Sequence, residues 1–370
     1  MVSQLKPSTR LLLGPGPSNV SYRVLRAMCT PLVGHLDPQF LEIMDETCQM
    51  VRDVYQTSNQ MTFPVSGTGS AGMEASFVNI LEPGDKVIIG VNGVFGMRMK
   101  DVAARCGAQV IEVEAEWGQP LDVQQLIETC QANPDAKACA VVFAETSTGV
   151  RQPLEELGAH LKNTEILFLV DAVTALGAID LQVDNWGIDI CYACTQKGLS
   201  VPPGLSPVTF SPKAMNVVNN RKSKVQSWYL DLSMLGKYWG EERVYHHTAP
   251  ISMIYALNEG LRVIFEEGLA KRFERHAAAS RSLAAGLGKL GFSFFAAEGY
   301  RLPQLMAVYL PDGVAEGNLR NTLLTKYDIE VGGGLGPVAG KIWRIGLLGE
   351  NARSQAVAAL LYALNQELAA

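Results

Sequence analysis

The chain lacks a basic surplus, a long apolar run, a metal-ligand cluster and an even set of cysteines. Each absence removes a class of function. Net charge is −6 over 370 residues, which argues against nucleic acid or an anionic membrane surface as the main partner. A local basic pocket can still hold an anion. No run approaches the roughly 18–20 apolar residues of a membrane-spanning helix, and Leu11-Leu12-Leu13 is too short for a signal-peptide core. Glu367-Leu-Ala-Ala370 is not the Ser-Lys-Leu peroxisomal address. Seven cysteines, scattered through segments such as Ala138-Cys-Ala140, read as reduced core thiols of a cytoplasmic protein. Cys191-Tyr-Ala-Cys194 is formally a C-x-x-C. It lies in a strand-like run without a second pair, so it reads as core filler. Five histidines are present in all, and His246-His247 has no acidic cluster beside it, so a structural role is expected.

What is present is core. Apolar residues make up 48% of the chain and charged ones 18%, the balance of an ordinary globular protein with room for two domains. Proline and glycine crowd an N-terminal arm through Leu13-Gly-Pro-Gly-Pro-Ser-Asn19, where no regular structure is expected. From Met61 to Phe210 short apolar runs alternate with helical spacing. The expected strands are 61–65, 86–91, 110–113, 138–145, 166–170, 188–194 and 207–210, and the helices between them 71–80, 97–106, 123–131 and 154–162. Such alternation predicts an α/β fold, a mostly parallel mixed sheet covered by helices on both faces. Beyond Thr248 come helices 251–267 and 270–290, strand 305–310, helix 315–326, strand 341–347 and helix 352–368. That order predicts an arm over 1–20, a large domain over 21–255 and a smaller α+β domain over 256–370.

The chemistry gathers at strand ends. The apolar run Ile188-Asp-Ile-Cys-Tyr-Ala-Cys-Thr-Gln-Lys197 delivers an amine to the mouth of a buried strand, where desolvation lowers its proton affinity and frees a nucleophile. Ile166-Leu-Phe-Leu-Val170 ends in the carboxylate Asp171. A buried amine facing a buried acid suits pyridoxal phosphate; it also describes a structural ion pair. Ser66-Gly-Thr-Gly-Ser-Ala-Gly-Met-Glu74 follows a strand and opens a helix, a phosphate cradle by its small residues and free N–H groups. Gly67, Gly69 and Gly72 also satisfy G-x-G-x-x-G, but the next strand ends in Asn92, not in the acid a dinucleotide fold uses on ribose. Phe95 belongs either to a ring-stacking wall of the same crevice or to the core. Glu145-Thr-Ser-Thr-Gly149 offers hydroxyls or a plain turn. Arg344, inside Ile342-Trp-Arg-Ile-Gly-Leu-Leu348, needs an anion, either a buried partner or a substrate carboxylate.

The sequence resembles the class V, fold type I pyridoxal phosphate aminotransferases. The segments carrying the resemblance include Gly14-Pro-Gly-Pro-Ser-Asn19, Leu81-Glu-Pro-Gly-Asp85, Asp171-Ala-Val173, Gln196-Lys197, Pro202-Pro-Gly204, Tyr245-His-His-Thr248, Arg301-Leu-Pro303, Gly332-Gly-Gly-Leu-Gly-Pro337 and Lys341 to Gly349. The resemblance implies a pyridoxal 5′-phosphate cofactor, with Lys197 as Schiff-base lysine and Asp171 as partner of the pyridine nitrogen. It implies that Val173 and Phe95 flank the ring. Thr68 and Gly69 contact the phosphate with Gln196 beside them, Ser70 completes the cofactor set, and Thr146 approaches the ring hydroxyl. Tyr245 and Thr248 reach the cofactor of a neighbouring subunit, hence a homodimer with composite sites, and Arg344 grips the substrate carboxylate. The implied activity moves an amino group from alanine or serine to glyoxylate or pyruvate by a ping-pong course. Alternatives on the same fold are a cysteine desulfurase or a non-catalytic subunit. Every cysteine precedes Lys197, and Gln196 stands where a desulfurase has histidine. Phe143 and Ser70 replace histidines common among relatives, both expected near the cofactor.

Overall fold

The computed structural model describes residues 5–369. At its centre are β1 (Met61–Ser66), β2 (Lys86–Val91), β3 (Gln109–Glu114), β4 (Ala138–Val142), β5 (Leu167–Asp171), β6 (Ile190–Tyr192) and β7 (Leu205–Phe210). They form a seven-stranded sheet in the order β1-β7-β6-β5-β4-β2-β3. Only β7 opposes its neighbours, pairing antiparallel with β1 and β6; the other pairs are parallel. All residues of β4 to β7 are buried, which is why these runs show no polar alternation.

Helices α1 (Tyr22–Met28) and α2 (Pro38–Tyr55) precede the sheet. Between its strands run α3 (Gly69–Ile80), α4 (Val94–Arg105), α5 (Val123–Ala132) and α6 (Glu155–Leu161), and α7 (Pro212–Asn219) and α8 (Leu232–Trp239) follow. The mixed α/β architecture is the expected one. Helices α1, α2, α7 and α8 are additional to the expected set. For α2 the signals are local and ordinary: Asp37 accepts from Gln39 N–H at 2.9 Å, Pro38 takes the first turn, and Phe40, Met44, Val51 and Tyr55 recur at helical spacing on the buried face.

The expected strand 138–145 is two strands. It breaks at Phe143, whose N–H donates to Asp171 O and whose carbonyl accepts from Gln152 N–H. Ala144–Glu145 then pairs back on Val150–Arg151. Nor is the N-terminal arm wholly irregular. Leu11–Leu12 pairs in parallel with Ile329–Glu330, and Leu13 is buried in the C-terminal core.

The remainder comprises α9 (Ile251–Glu267), α10 (Leu269–Lys289), α11 (Glu316–Lys326), α12 (Ser354–Leu368) and the strands β8 (Ser293–Phe294), β9 (Leu305–Tyr309), β10 (Gly332–Gly333) and β11 (Ile342–Gly346). These strands form an antiparallel sheet in the order β8-β9-β11-β10. One hydrophobic cluster joins the large sheet to Ile254, Leu257 and Leu261 of α9. A second gathers Leu283 and Leu287 of α10 with Trp343, Ile345 and Leu360. Residue 255 lies within α9, whose buried residues join the first cluster, whereas those of α10 join the second.

Candidate active site

Asp171 and Tyr192 end β5 and β6 and are direct partners across the ladder. Directly opposed residues share a face of a sheet. Tyr192 Oη donates to Asp171 Oδ2 at 2.8 Å, and Val173 N–H donates to Oδ1 at 2.8 Å. Asp171 is 2% exposed. Burial pushes its carboxyl up to about 6, against the pull of these two donors and of Lys197. No helix bridges β5 to β6; residues 172–189 form turns, so both strand ends are held close together.

Beyond β6 the chain turns through Thr195 to Ser200 and aims Lys197 at Asp171's end of the sheet. Lys197 Nζ donates to Pro15 O of the N-terminal arm. Burial lowers its proton affinity; Arg344 reinforces that shift, while Cys194 and Asp171 oppose it. The amine and the acid line one cavity of about 280 Å³, together with Thr68, Gly69, Ser70, Phe95, Val173 and Gln196. That is close to the lower end of the ~300–1,000 Å³ usual for ligand clefts.

The cradle is the start of α3. Its N-cap, Thr68, makes no side-chain cap, and the helix begins at Gly69, ahead of the expected Ala71. First-turn N–H groups are thus left for an anion, with the helix dipole behind them. A Cβ on Gly69 would lie 3.0 Å from Val173 Cγ2 and 3.2 Å from Cys194 Cβ, so close packing favours glycine there. Beside the cradle, the buried Gln196 Oε1 has no hydrogen-bond partner among the described residues. Turned over, that amide offers its N–H₂ to an acceptor in the cavity.

Phe95 reaches the cavity because α4 starts at Val94, not at the expected Met97. The cap comes from far away in sequence. Glu145 Oε2 accepts from Phe95 N–H at 3.1 Å and Gly96 N–H at 3.4 Å, and Ser147 Oγ accepts from Val94 N–H at 3.0 Å. A carboxylate suits the positive end of a helix. The Arg98 guanidinium lies 5.0 Å from the Phe95 ring centroid.

The expected hydroxyl cluster divides. Ser147 Oγ donates to Glu145 Oε1 at 2.6 Å and Thr148 Oγ1 donates to Glu145 O at 3.5 Å, so both are engaged locally. Thr146 is buried next to them, outside the lining of the cavity. Tyr245, 57% exposed, and Thr248, also exposed, lie outside the cavity of their own chain. The residues between them turn inward instead. His247 Nε2 is 2.9 Å from Ser66 Oγ at the root of the cradle, and His246 stacks on Trp228 with centroids 4.4 Å apart. Burial lowers His247 to about 4, with His246 and His35 pushing the same way, so this brace is uncharged at neutral pH.

Arg344 sits on β11, 8% exposed, with Nε donating to Gly333 O at 2.8 Å. Burial lowers its proton affinity while Glu145 raises it. No ion pair among the described residues includes Arg344. The ring of Phe143 packs edge-on against Trp186 with centroids 5.6 Å apart and does not line the cavity, whereas Ser70 does. Cys191 and Cys194 are buried, and burial pushes both thiols up, Cys194 to about 12, which leaves them inert. A larger cleft of about 450 Å³ opens between α4 and β3, but Lys100 is paired with Glu112 there and it shares no lining residue with the cavity of Asp171 and Lys197.

Tyr192, Arg98 and the Pro15-Gly16-Pro17 arm belong to the site and were not singled out as site residues in the sequence. Tyr192 could have been found: it ends the strand beside the one that ends in Asp171. The arm's signal was its density of proline and glycine.

The aminotransferase class-V family profile matches residues 19–347. The chain is similar to the (S)-ureidoglycine–glyoxylate transaminase of Bacillus subtilis (strain 168), 40% identical over 378 residues, covering 97% of this chain and 90% of that protein. It is likewise similar to the alanine–glyoxylate aminotransferase of Mus musculus, 40% identical over 368 residues, covering 98% of this chain and 89% of that one. Among solved structures, the alanine–glyoxylate aminotransferase from Nostoc sp. matches with a TM-score of 0.97 and 48% identity, covering 100% of this chain and 97% of the other.

Proposed function

We propose substrates and a division of labour for a chain that belongs to the aminotransferase class-V family and is a pyridoxal phosphate-dependent transaminase. The amino donor is alanine or serine, and the acceptor is glyoxylate or pyruvate. The observation carrying this reading is the meeting of a half-buried amine, Lys197, and a buried acid, Asp171, in one small cavity. The residues fit the cofactor by their chemistry. The start of α3 suits its phosphate, Gln196, whose Oε1 has no partner among the described residues, lines the same cavity, and Asp171 suits a protonated ring nitrogen.

Bound there, pyridoxal phosphate supplies the sink for electrons released at the substrate Cα. Thr68, Gly69 and Ser70 would hold the phosphate from the helix end, whereas Thr146, outside the cavity lining, is given no direct contact with the cofactor. Val173 and Phe95 supply apolar walls that fix the ring plane and exclude water. Asp171, ionised against a cation, keeps the proton on the ring nitrogen. Lys197 Nζ, its proton affinity lowered by burial, takes the proton from the substrate Cα and returns one in the second half-reaction. Arg344, which has no ion-pair partner among the described residues, orients the substrate carboxylate through its planar fork. Product leaves before the second substrate enters, hence ping-pong kinetics.

A panel of amino acids assayed with glyoxylate and pyruvate tests the substrates. Alanine or serine with glyoxylate or pyruvate is the expected leading pair, and keto acid from no member of the panel would sink the reading. In the same assay Arg344→Ala raises KM for both substrates about ten- to a hundredfold, the loss of a charge-assisted pair. The cofactor spectrum stays unchanged. Unaltered KM values would remove Arg344 from that role.

The assembly is a homodimer with composite sites and the location cytoplasmic. Tyr245 and Thr248 are turned away from their own cavity, and exposed Leu36, Trp228 and Val244 lie on or beside the same segment, a surface suited to a second copy. Sedimentation should give twice the chain mass at assay concentration. A monomer that is fully active would refute the composite site. Free thiols throughout the described chain suit a reducing compartment.

A further inference from the structure

Lys197 sits on a turn that Val201 N–H closes by donating to Thr195 O at 3.0 Å and that Ser18 N–H fastens by donating to Gln196 O at 2.9 Å. Ser200 closes it with φ at +54°, an uncommon conformation for a residue with a side chain, and its N–H donates to Lys197 O at 3.0 Å. Amine transfer demands placement within about half an ångström. Those bonds fix the turn itself, and a further set ties it to the loop that follows Asp171.

That support comes from elements remote in sequence. Arg272, on α10, is 1% exposed. Its Nη2 donates to Gly198 O at 2.6 Å, its Nε to Gly177 O at 2.7 Å and its Nη1 to Glu267 Oε2 at 2.9 Å. Gly198 directly follows the lysine, and Gly177 lies in the turn that follows Asp171. One rigid guanidinium therefore ties together the two loops that carry the amine and the acid. Ser18 Oγ adds a second fastening, donating to Lys197 O at 3.0 Å.

The charge is accommodated locally. Burial works against the Arg272 cation, while Arg275 and Arg272 hold Glu267 down to about 2, so Glu267 stays ionised. His276 Nδ1 donates to Arg272 O at 2.8 Å and its Nε2 accepts from Gly349 N–H at 3.0 Å, which fixes a neutral tautomer. Burial brings His276 to about 3, in agreement. With Nη1 on Glu267, the other two guanidinium nitrogens donate one to each of the two active-site loops.

We propose that Arg272 is a positioning residue, which sets the approach of the Lys197 amine to the cofactor by clamping the carbonyls of Gly177 and Gly198. The inference rests on Lys197 being the reacting amine. The test uses full-length Arg272→Met and Arg272→Lys, stripped of cofactor and then supplied with pyridoxal phosphate. In Arg272→Met, absorbance-monitored cofactor uptake slows and kcat falls, each about ten- to a hundredfold, while KM for the amino donor moves less than about threefold. Arg272→Lys, which keeps the charge and one of the carbonyl contacts, recovers part of both. Cooperatively unfolding variants with wild-type uptake and kcat would overturn the inference. So would variants that do not fold at all, since Arg272 is then a determinant of folding only. Lys197→Ala with borohydride separates the two readings. If borohydride still fixes cofactor to that variant as to the wild type, the Lys197 reading fails whatever Arg272 does. If cofactor is fixed only when Lys197 is present and the Arg272 variants behave as wild type, the clamp alone fails.

Discussion

Lys197→Ala lowers kcat about 10⁴-fold or more, the upper range for loss of a positioned acid–base group. The lysine enters a cavity where burial lowers its proton affinity, and among the described residues no other amine lines that cavity. Arg98 and Arg344 are nearby cations, but a guanidinium does not give up its proton near neutral pH. Lys197→Arg should therefore be as inactive as the alanine variant, although it restores charge and bulk. A small primary amine added to Lys197→Ala should return part of the lost rate, since it replaces the base without repairing any packing. Stability moves the other way. A lysine whose folded proton affinity is lowered loses protons on folding, so its contribution improves as pH rises toward its ordinary value near 10.5 and is unfavourable at neutral pH. The cofactor-free alanine variant should unfold at or above the wild-type temperature at pH 7. Thermal unfolding and single-turnover transamination measure the two effects; an active variant, or one too unstable to assay, refutes the placement.

The strand ends were legible because burial writes them plainly. A uniform apolar run closing in a single charged residue, such as Ile166 to Asp171, marks a strand covered on both faces that opens at a polar mouth. The parallel neighbours at β5 and β6 then follow from crossover geometry. The glycine spacing was less decisive. A Cβ on Gly72 would meet Ser206 Oγ at 2.1 Å and Tyr192 Cβ at 3.1 Å, so this glycine serves helix-on-sheet packing, as the third glycine of a dinucleotide site does. The spacing alone therefore fits both chemistries. Asn92 separates them: its amide donates to Gln119 O at 3.1 Å, and no acid stands at that strand end.

What stayed hidden depended on contacts distant in sequence. Nothing local to Val94 announces a helix start, because its cap is Glu145, and the same carboxylate engages the hydroxyl of Ser147, expected to face a ligand. Phe143 is joined to Asp171 through its backbone N–H, but its ring packs on Trp186 and lies outside the cavity lining. In contrast α2 was recoverable from Asp37-Pro38 and its buried stripe. Sequence pattern shows which backbone is buried; which side chain a distant carboxylate meets is settled only by the fold.

Asp171→Asn should separate function from stability at one position. The amide still accepts from Val173 N–H, and Tyr192 can turn its hydroxyl to accept from the new N–H₂, so the geometry survives. The variant cannot bear the negative charge that keeps a proton on the ring nitrogen, and kcat should drop about 10²–10³-fold, the scale of losing one preorganised electrostatic group. Cofactor affinity should fall with it. In the wild type, cofactor-free Asp171 takes up a proton as pH drops through about 6, so its affinity for the cofactor weakens below that pH; the variant lacks this dependence. The stability sign is opposite to that of a salt-bridged acid. Because folding raises the carboxyl from 3.8 to about 6, the folded chain holds the extra proton, and stability is lost as pH climbs through that window. An ionised Asp171 then weakens the cofactor-free protein by about 2–3 kcal/mol at pH 8. Cofactor-free Asp171→Asn should accordingly exceed the wild type at pH 8 and match it near pH 4 in thermal unfolding. Activity within tenfold of wild type, or a stability gap that ignores pH, would show that this carboxylate is not held ionised for the cofactor's sake.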